Sequence, residues 1–156
     1  MLGFDKPKTV EAWEDYEAIV KLKVHDTQKD YVSSNLEAFA KAFACQEVYD
    51  EKPIVLGVYK DKTLLGLAMF CRSTAENRYI YYFLHFMIDE NHQGKGYGKD
   101  ALTQLVELIK TTKPLWEADW LYISVHKESV ARRLYCNTGF EELNEYNNEI
   151  DLRMPI

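Results

Sequence analysis

Three glycines at alternate positions, Gly94, Gly96 and Gly98, lie between an apolar run at residues 79–88 and an amphipathic run at residues 101–109. This order predicts a strand, a tight loop and a helix. Glycine lets backbone N–H groups approach a ligand closely. A helix that begins directly behind the loop adds unpaired N–H groups and the positive end of its dipole. The chemistry that this combination supports is the binding of a phosphate group.

The spacing of these glycines differs from that of the two best-known phosphate-binding loops. A Walker A loop ends in Gly-Lys-Ser or Gly-Lys-Thr and has another glycine five residues before that glycine, which residues 93–98 do not match. A dinucleotide fingerprint requires G-x-G-x-x-G and, about 20 residues later, an acidic residue at the end of a strand. Here the spacing is G-x-G-x-G, and Asp119 leads into a predicted strand.

The loop resembles the pyrophosphate loop of the GNAT N-acetyltransferases, which reads Gln or Arg, two residues of any type, Gly, one residue, and Gly or Ala. Gln93, Gly96 and Gly98 occupy those positions. Residues 129–140 resemble a second segment of the same family, A-x-x-L-Y-x-x-x-G-F. One predicted strand and one predicted helix separate the two segments, as in the family, and the resemblance extends over nearly the whole chain.

The resemblance implies acetyl-coenzyme A as co-substrate and no metal. Backbone N–H groups of the loop would bind the diphosphate, and Lys95 and Lys99 would add attraction to the coenzyme phosphates. The pantetheine arm would pair with the end of the central strand at Phe86, Met87 and Ile88. The loop residues concerned are Gln93, Gly94, Lys95, Gly96, Tyr97 and Gly98.

Acetyl transfer to an amine needs a proton for the leaving thiolate and an acceptor for the proton of an ammonium ion. Tyr135 matches the tyrosine that is the general acid in many family members; the alternative is a tyrosine that only packs beside the coenzyme. His85 is the candidate base, because it interrupts an apolar strand and titrates in a useful range. In a regular strand His85 shares a face with Tyr81, Phe83 and Met87. Its alternative role is a core histidine hydrogen-bonded to a tyrosine.

Three other titratable groups are candidates for the site. Tyr82 and Glu76 are alternative bases. His126 stands where many family members have an asparagine that touches the coenzyme arm, so it would either donate the same hydrogen bond or act as a second titrating group.

The distribution of charge along the chain indicates which class of amine the protein could accept. The net charge is −6, and residues 11–51 alone hold ten acidic and four basic residues, a difference of −6. A negative field repels nucleic acid and attracts cations such as polyamines, lysine-rich tails and aminoglycosides. The alternative is an acidic surface that only keeps the protein soluble.

Within the family, the chain most resembles bacterial diamine and polyamine acetyltransferases, in residues 29–35 and 86–89 and in the loop. By that resemblance Asp30 and Glu37 would pair with distal ammonium groups. Tyr31, Tyr81 and Tyr82 would cover the methylene groups of the acceptor or make cation–π contacts. Two alternatives remain open. The acceptor could be an aminoglycoside, an amino acid or a protein N-terminus, or the domain could bind acetyl-CoA without transferring the acetyl group.

Two helices are predicted before the first long strand. The first covers residues 10–22, with Thr9 as its N-cap. Ser34 and Glu37 form a capping-box pattern at the start of the second helix. Four apolar side chains at helical spacing then predict its buried face: Leu36, Phe39, Ala40 and Phe43.

Strand and turn signals complete the prediction. Hairpins are expected across residues 60–63 and across Asn147 and Asn148, with a short strand at residues 2–4. A strand at residues 120–125 precedes a helix over residues 129–137, which Gly139 ends. With the resemblance, this order predicts an α/β (α+β) GNAT fold. Its mixed, mostly antiparallel sheet of about six or seven strands has helices on both faces.

Composition sets the remaining expectations. A chain of 156 residues, with 47% hydrophobic and 28% charged residues, fits a single domain over residues 1–156. No apolar run is long enough for a membrane span, and the N-terminal residues lack a signal-peptide pattern. Three widely spaced cysteines suit a reducing cytosol rather than a disulfide framework or a zinc site. We therefore expect a cytoplasmic protein that forms monomers or homodimers and contacts neither nucleic acid nor membrane.

Overall fold

The computed structural model describes residues 8–10, 12–75, 78–112 and 118–156. Its strands are β1 (Lys8–Thr9), β2 (Ile54–Lys60), β3 (Thr63–Ala75), β4 (Arg78–Ile88), β5 (Ala118–His126), β6 (Glu141–Tyr146) and β7 (Glu149–Pro155). Its α-helices are α1 (Trp13–Val20), α2 (Asn35–Tyr49), α3 (Tyr97–Thr112) and α4 (Ala131–Thr138). Short 3-10 turns lie at Asp26–Gln28 and Glu90–His92.

The described strands form one seven-stranded sheet in the order β1-β2-β3-β4-β5-β7-β6. Every neighbouring pair is antiparallel except β4 and β5, which are parallel. The predicted mixed, mostly antiparallel sheet is therefore confirmed. The pairing of β4 with β5 ends at Tyr82 and Tyr122. Beyond that pair the two strands separate, and the second half of β4 has one edge that β5 does not cover.

A β-bulge in β4 decides which way the site residues face. On β3, Met69 pairs with His85 and Phe70 pairs with Phe83, so Leu84 is the extra residue. An extra residue reverses the alternation of side chains beyond it. Tyr81 and Phe83 lie in one core cluster, whereas Met87 lies in the other, and His85 bonds Asn35 of α2. The expectation that His85 shares a face with Tyr81 and Phe83 is therefore wrong.

Hydrophobic side chains are buried on both faces of the sheet, as predicted. The larger cluster joins the sheet to α3 and α4, with Leu102, Leu105 and Ile109 fully buried. The smaller cluster lies under α1 and α2 and includes Ile19 and Ala38. Among the described segments, no helix has both the length and the hydropathy that a membrane span requires.

Helix α2 begins as predicted but packs differently. Ser34 and Glu37 form the capping box. The predicted buried face is right only for Phe39, which packs partly buried against the smaller cluster, whereas Leu36 and Phe43 are 56% and 68% exposed. The helix instead buries a face of small side chains: Asn35, Ala38 and Ala42. Small side chains at these positions let the helix backbone lie close to the sheet.

Helix α1 is shorter than predicted. It covers Trp13–Val20, and Ala12 is its N-cap residue without a side-chain hydrogen bond. Thr9 is not the cap, because it belongs to β1 and pairs with Leu56 of β2. Val10, the first residue of the predicted helix, instead donates its backbone N–H to the carbonyl oxygen of Val55 on β2 at 3.2 Å. The predicted strand at residues 2–4 lies outside the described residues.

The predicted turns are confirmed. Asp61 and Lys62 connect β2 to β3 with φ of 48° and 65°, and Asn147 and Asn148 connect β6 to β7 with φ of 49° and 65°. Two consecutive residues with positive φ are typical of tight two-residue hairpin turns. Helix α4 ends at Gly139, which has a φ of 110°.

Candidate active site

Two cavities meet where β4 and β5 separate. The larger has a volume of about 410 Å³ and is lined by segments 82–86 of β4 and 122–125 of β5, among others. The smaller, of about 200 Å³, lies beside the glycine loop. Four of the lining residues are common to both cavities: Val32, Phe86, Ser129 and Ala131. The cavities therefore form one cleft, and Phe86 lies at their junction.

The glycine loop presents free donors to this cleft. Gly94 and Gly96 have φ of 73° and 82°, a conformation that favours glycine. An added Cβ at either position would meet no atom within 4 Å, so the loop faces open space. Within the described residues, the backbone N–H groups of Gly94, Lys95 and Gly96 donate no hydrogen bond. Because α3 begins at Tyr97, these donors lie at a helix N-terminus, where an anion is favoured.

The side chain of Gln93 lines the smaller cavity and also anchors the loop to neighbouring segments. Nε2 of Gln93 donates to the carbonyl oxygen of Ile88 at 2.8 Å and to Oε1 of Gln28 at 2.9 Å. The Tyr97 ring lies under the Lys60 ammonium group, which is 4.6 Å from the ring centroid. These contacts leave the backbone amides as the ligand-facing groups. Gln28 was not among the predicted residues, because its role depends on a contact 65 residues away in sequence.

The two exposed lysines of this region differ in their contacts. Nζ of Lys95 donates to the carbonyl oxygen of Asn91 at 3.0 Å. Lys99 is exposed in the first turn of α3. Both ammonium groups can add positive charge near the loop, and neither is buried.

The end of β4 offers backbone groups to the cleft. The N–H of Asp89 donates to the carbonyl oxygen of Leu65 on β3. Backbone groups of successive strand residues point to opposite edges, so those of Phe86 and Ile88 point away from β3, toward the gap. Those of Met87 point toward β3, and its side chain packs in the smaller core. All three predicted residues line the smaller cavity, and of these Phe86 and Ile88 turn their backbone groups toward the gap.

Tyr135 of α4 is buried and lines the larger cavity. Its ring packs edge-to-face against Phe86 and Phe140, with centroid distances of 6.5 Å and 5.5 Å. Its hydroxyl has no hydrogen-bond partner among the described residues. Burial raises the pKa of Tyr135 above its ordinary value of 10, so the phenol holds its proton at neutral pH. The residue can donate a proton or a hydrogen bond to a ligand.

His85 lines the same cavity and is only 7% exposed. Its Nε2 lies 2.9 Å from Oδ1 of Asn35, so its partner is an asparagine and not the tyrosine considered above. Burial, and after it the positive charge of Lys41, lowers the pKa of His85 to about 4. The ring is therefore neutral at pH 7 and can accept a hydrogen bond.

Tyr82 also lines this cavity, but its hydroxyl is already engaged. It donates a short hydrogen bond to the carboxylate of Glu51, and the thiol of Cys71 lies 3.6 Å from the same oxygen. Burial, reinforced by Glu51, raises the pKa of Tyr82. A phenol whose proton is held in this way is a poor base. Glu76, the other alternative, lies outside the described residues.

The acidic side chains at the cavity are not the predicted ones. Asp30 is exposed and does not line the larger cavity. Glu37 accepts hydrogen bonds from the N–H and Oγ of Ser34, each at 2.8 Å, as part of the α2 cap. The cavity is lined instead by Glu149 and Asp151 of β7. The sequence carried a signal for both, because they alternate with the buried Ile150 and Leu152 along a predicted strand.

Tyr31, which lines the larger cavity, packs against His126. Their rings stack with centroids 4.6 Å apart, and the Tyr31 hydroxyl donates to Glu128 at 3.3 Å. Nδ1 of His126 accepts from the N–H of Glu128 at 3.2 Å. Tyr31 lines the larger cavity, whereas His126 lines neither of the two cavities.

Comparison with known proteins gives a consistent result. The protein-family model described as Acetyltransferase (GNAT) family matches residues 12–140 of the chain. A spermine/spermidine N(1)-acetyltransferase of Bacillus subtilis (strain 168) is 32% identical over 139 residues, which cover 86% of this chain and 84% of that protein.

Solved structures show the same fold. A Bacillus subtilis acetyltransferase in complex with CoA matches with a TM-score of 0.63 and 15% identity over 99% of each chain. A chain of the NatC complex bound to Gag peptide and CoA matches with a TM-score of 0.69 and 15% identity, over 96% of this chain and 97% of that one. At these identities the two likenesses concern the fold alone.

Proposed function

The chain belongs to the GNAT family of acetyltransferases, and we propose that it transfers the acetyl group of acetyl-CoA to a primary amine of a diamine or polyamine. One observation carries the proposal. The cavity beside the glycine loop and the cavity lined by Glu149, Asp151 and Tyr135 adjoin at Phe86, which lines both. A coenzyme in one cavity and a cationic amine in the other would meet at that junction.

The coenzyme occupies the smaller cavity. Its diphosphate accepts hydrogen bonds from the backbone N–H groups of Gly94, Lys95 and Gly96, at the positive end of α3. The pantetheine arm follows the uncovered edge of β4 past the backbone groups of Phe86 and the N–H of Ile88, because the Ile88 carbonyl oxygen already accepts from Gln93. This path leads the thioester to the junction of the two cavities.

The amine nitrogen then attacks the thioester carbon directly. The new C–N bond forms, the C–S bond breaks, and the sulfur leaves with its electron pair. A coenzyme thiol has a pKa of roughly 8.5, so its thiolate leaves more readily if it is protonated. Tyr135 donates that proton from its buried hydroxyl to the leaving sulfur. The proton that the amine nitrogen releases then restores the phenol.

The amine must lose a proton to react. An alkylammonium group with a pKa of about 10.4 is neutral only about once in 10³ molecules at pH 7. His85 is neutral at that pH, so it does not repel a cation. It accepts a hydrogen bond from the amine, or from a water molecule that carries the proton to solvent.

Acidic side chains select the acceptor. Glu149 and Asp151 line the larger cavity, and a carboxylate there pairs with an ammonium group distant from the reacting nitrogen. Tyr31 and Tyr82 present ring surface to the methylene groups between them. The B. subtilis relative whose name specifies spermine and spermidine supports this acceptor class. We assign distal binding to Glu149 and Asp151 rather than to Asp30 and Glu37, which lie outside this cavity.

Release of the coenzyme thiol tests the proposal. Acetyl-CoA is incubated with the protein and, in separate wells, with spermine, spermidine, putrescine, lysine, an aminoglycoside or a peptide. We expect fastest thiol release with spermine and spermidine. Release with only a peptide or an aminoglycoside would refute the polyamine assignment. Binding of acetyl-CoA without release against any amine would indicate a non-catalytic module.

A further inference from the structure

A chain of buried hydrogen bonds connects α1, α2 and the candidate base. Nδ2 of Asn35 donates to the carbonyl oxygen of Ile19 at 2.8 Å, and Oδ1 of Asn35 lies 2.9 Å from Nε2 of His85. Asn35 is 3% exposed and His85 is 7% exposed. The chain therefore lies inside the protein, between the end of α1 and the central strand.

The surroundings fix the orientation of the Asn35 amide. Its nitrogen faces two acceptors, the carbonyl oxygen of Ile19 and the sulfur of Met87, the latter at 3.8 Å. The opposite orientation would place an amide oxygen against both acceptors, which is unfavourable in a buried site. The amide oxygen therefore faces His85. Since an oxygen only accepts, Nε2 of His85 must carry the proton, and Nδ1 of the neutral ring is unprotonated.

Asn35 itself is held in place. It is the first residue of α2, directly after Ser34, whose hydroxyl and backbone form the capping box with Glu37. Its side chain has only one arrangement that satisfies all three neighbours. On the other side of the ring, Nδ1 of His85 has no hydrogen-bond partner among the described residues, and the side chain lines the larger cavity.

We propose that Asn35 is a positioning residue that holds His85 in the Nε2–H tautomer, so that Nδ1 accepts a hydrogen bond from the acceptor amine or its bridging water. The proposal rests on the acetyl transfer proposed above. Without Asn35, the ring could carry its proton on Nδ1 and would then present a donor to the amine. A donor there cannot take part in removing the proton.

Charged and titratable groups from several elements line the same cavity as His85. They are Lys41 of α2, Tyr82 of β4, Tyr135 of α4, Glu149 and Asp151 of β7, and Tyr31 of the loop before α2. Lys41 disfavours the imidazolium form. Replacing Asn35 by aspartate would favour that form, because it sets a carboxylate directly against Nε2–H.

Nitrogen NMR tests the tautomer without any assay of activity. The full-length protein is labelled with ¹⁵N, and His85 is identified among the four histidines by comparison with His85→Gln. We expect the Nε2–H tautomer at pH 7 in the wild type and loss of its dominance in Asn35→Leu. An Nδ1–H tautomer in the wild type, or an unchanged tautomer in Asn35→Leu, would overturn the proposal. Failure of acetyl transfer in every assay would instead overturn the proposed function.

Kinetics test the consequence. Asn35→Leu should lower kcat roughly tenfold or more and leave the KM for acetyl-CoA unchanged. For comparison, a positioned acid or base contributes about 10²- to 10⁴-fold to the rate. Asn35→Asp keeps an acceptor on Nε2–H, so it should retain more activity and move the acidic limb of the pH profile to higher pH. Ser34→Ala is the control, because it weakens the α2 cap without touching His85. Wild-type kcat in Asn35→Leu, or an unshifted limb in Asn35→Asp, would contradict the role.

Discussion

Gln93 and Ile88 are joined by a hydrogen bond of 2.8 Å from the side-chain Nε2 to the backbone carbonyl oxygen. This bond ties the first residue of the glycine loop to the last residue of the central strand. The position of the loop amides thus depends on the strand along which the coenzyme arm is proposed to run. The same Nε2 also donates a hydrogen bond to Oε1 of Gln28, so the loop is anchored to the segment between α1 and α2 as well.

Gln93→Glu should weaken coenzyme binding. A carboxylate cannot donate to Ile88 or to Gln28, and it brings a negative charge close to the proposed diphosphate site. We expect the KM for acetyl-CoA to rise about tenfold, equivalent to about 1.4 kcal/mol, with kcat unchanged. Steady-state kinetics measure both constants. Gln28→Ala is the control, since it leaves the bond to Ile88 intact; an unaltered KM in Gln93→Glu would contradict the bracing role.

Tyr135→Phe should affect the chemical step and not binding. The variant keeps the ring that packs on Phe86 and Phe140 but removes the proton donor. We expect kcat to fall about 10²-fold, the lower end of the range for a general acid, while the dissociation constant for acetyl-CoA is unchanged. Single-turnover thiol release together with calorimetry separates the two quantities. A wild-type kcat would show that Tyr135 only packs beside the coenzyme.

His85 should make the protein less stable as the pH falls. Its folded pKa of about 4 lies below the ordinary value of 6.5, so between these values the unfolded chain binds a proton that the folded protein does not. The contribution of His85 to the unfolding free energy is therefore fully present above pH 6.5 and is lost progressively toward pH 4. From pH 7 to pH 5 this single group should cost about 2 kcal/mol. Urea unfolding at both pH values measures it.

His85→Gln is the matched variant for that experiment. It lacks the titrating group, so its unfolding free energy should fall less between pH 7 and pH 5 than that of the wild type. Equal losses in the two proteins would mean that the folded pKa of His85 is not lowered.

Two matched double variants test the acceptor site. Glu149→Gln with Asp151→Asn, and Asp30→Asn with Glu37→Gln, each remove two negative charges. Only the first pair changes the walls of the larger cavity, so we expect it to raise the KM for spermidine about tenfold, or about 1.4 kcal/mol. The second pair should leave that KM unchanged. The reverse pattern would restore the assignment of Asp30 and Glu37 drawn from resemblance.

Features that adjacent residues encode could be predicted from the sequence. The capping box at Ser34, the turn at Asn147 and Asn148 and the glycine loop each depend on a few neighbouring side chains and their backbone preferences. The burial of α2 could not be predicted in this way. Large apolar side chains at helical spacing usually mark the buried face, yet Leu36 and Phe43 are exposed, and small residues contact the sheet.

The arrangement that we propose for catalysis depends on contacts that leave no local signal. The bulge at Leu84 involves no glycine or proline, and it alone reverses the face of His85. Asn35 lies 50 residues from His85 in sequence and has the appearance of an ordinary polar residue in the first turn of a helix. Only the packing of α2 on the central strand brings the two together.

Titration calorimetry with acetyl-CoA tests the central claim, which is that the backbone amides of the glycine loop bind the coenzyme diphosphate. The wild type should give saturable heat at one site. Gly96→Val should abolish it, because valine disfavours a φ of 82° and fills the open space in front of the loop. Circular dichroism confirms that the variant is folded. Absence of heat with acetyl-CoA, together with tight binding of ATP or NAD, would contradict the claim.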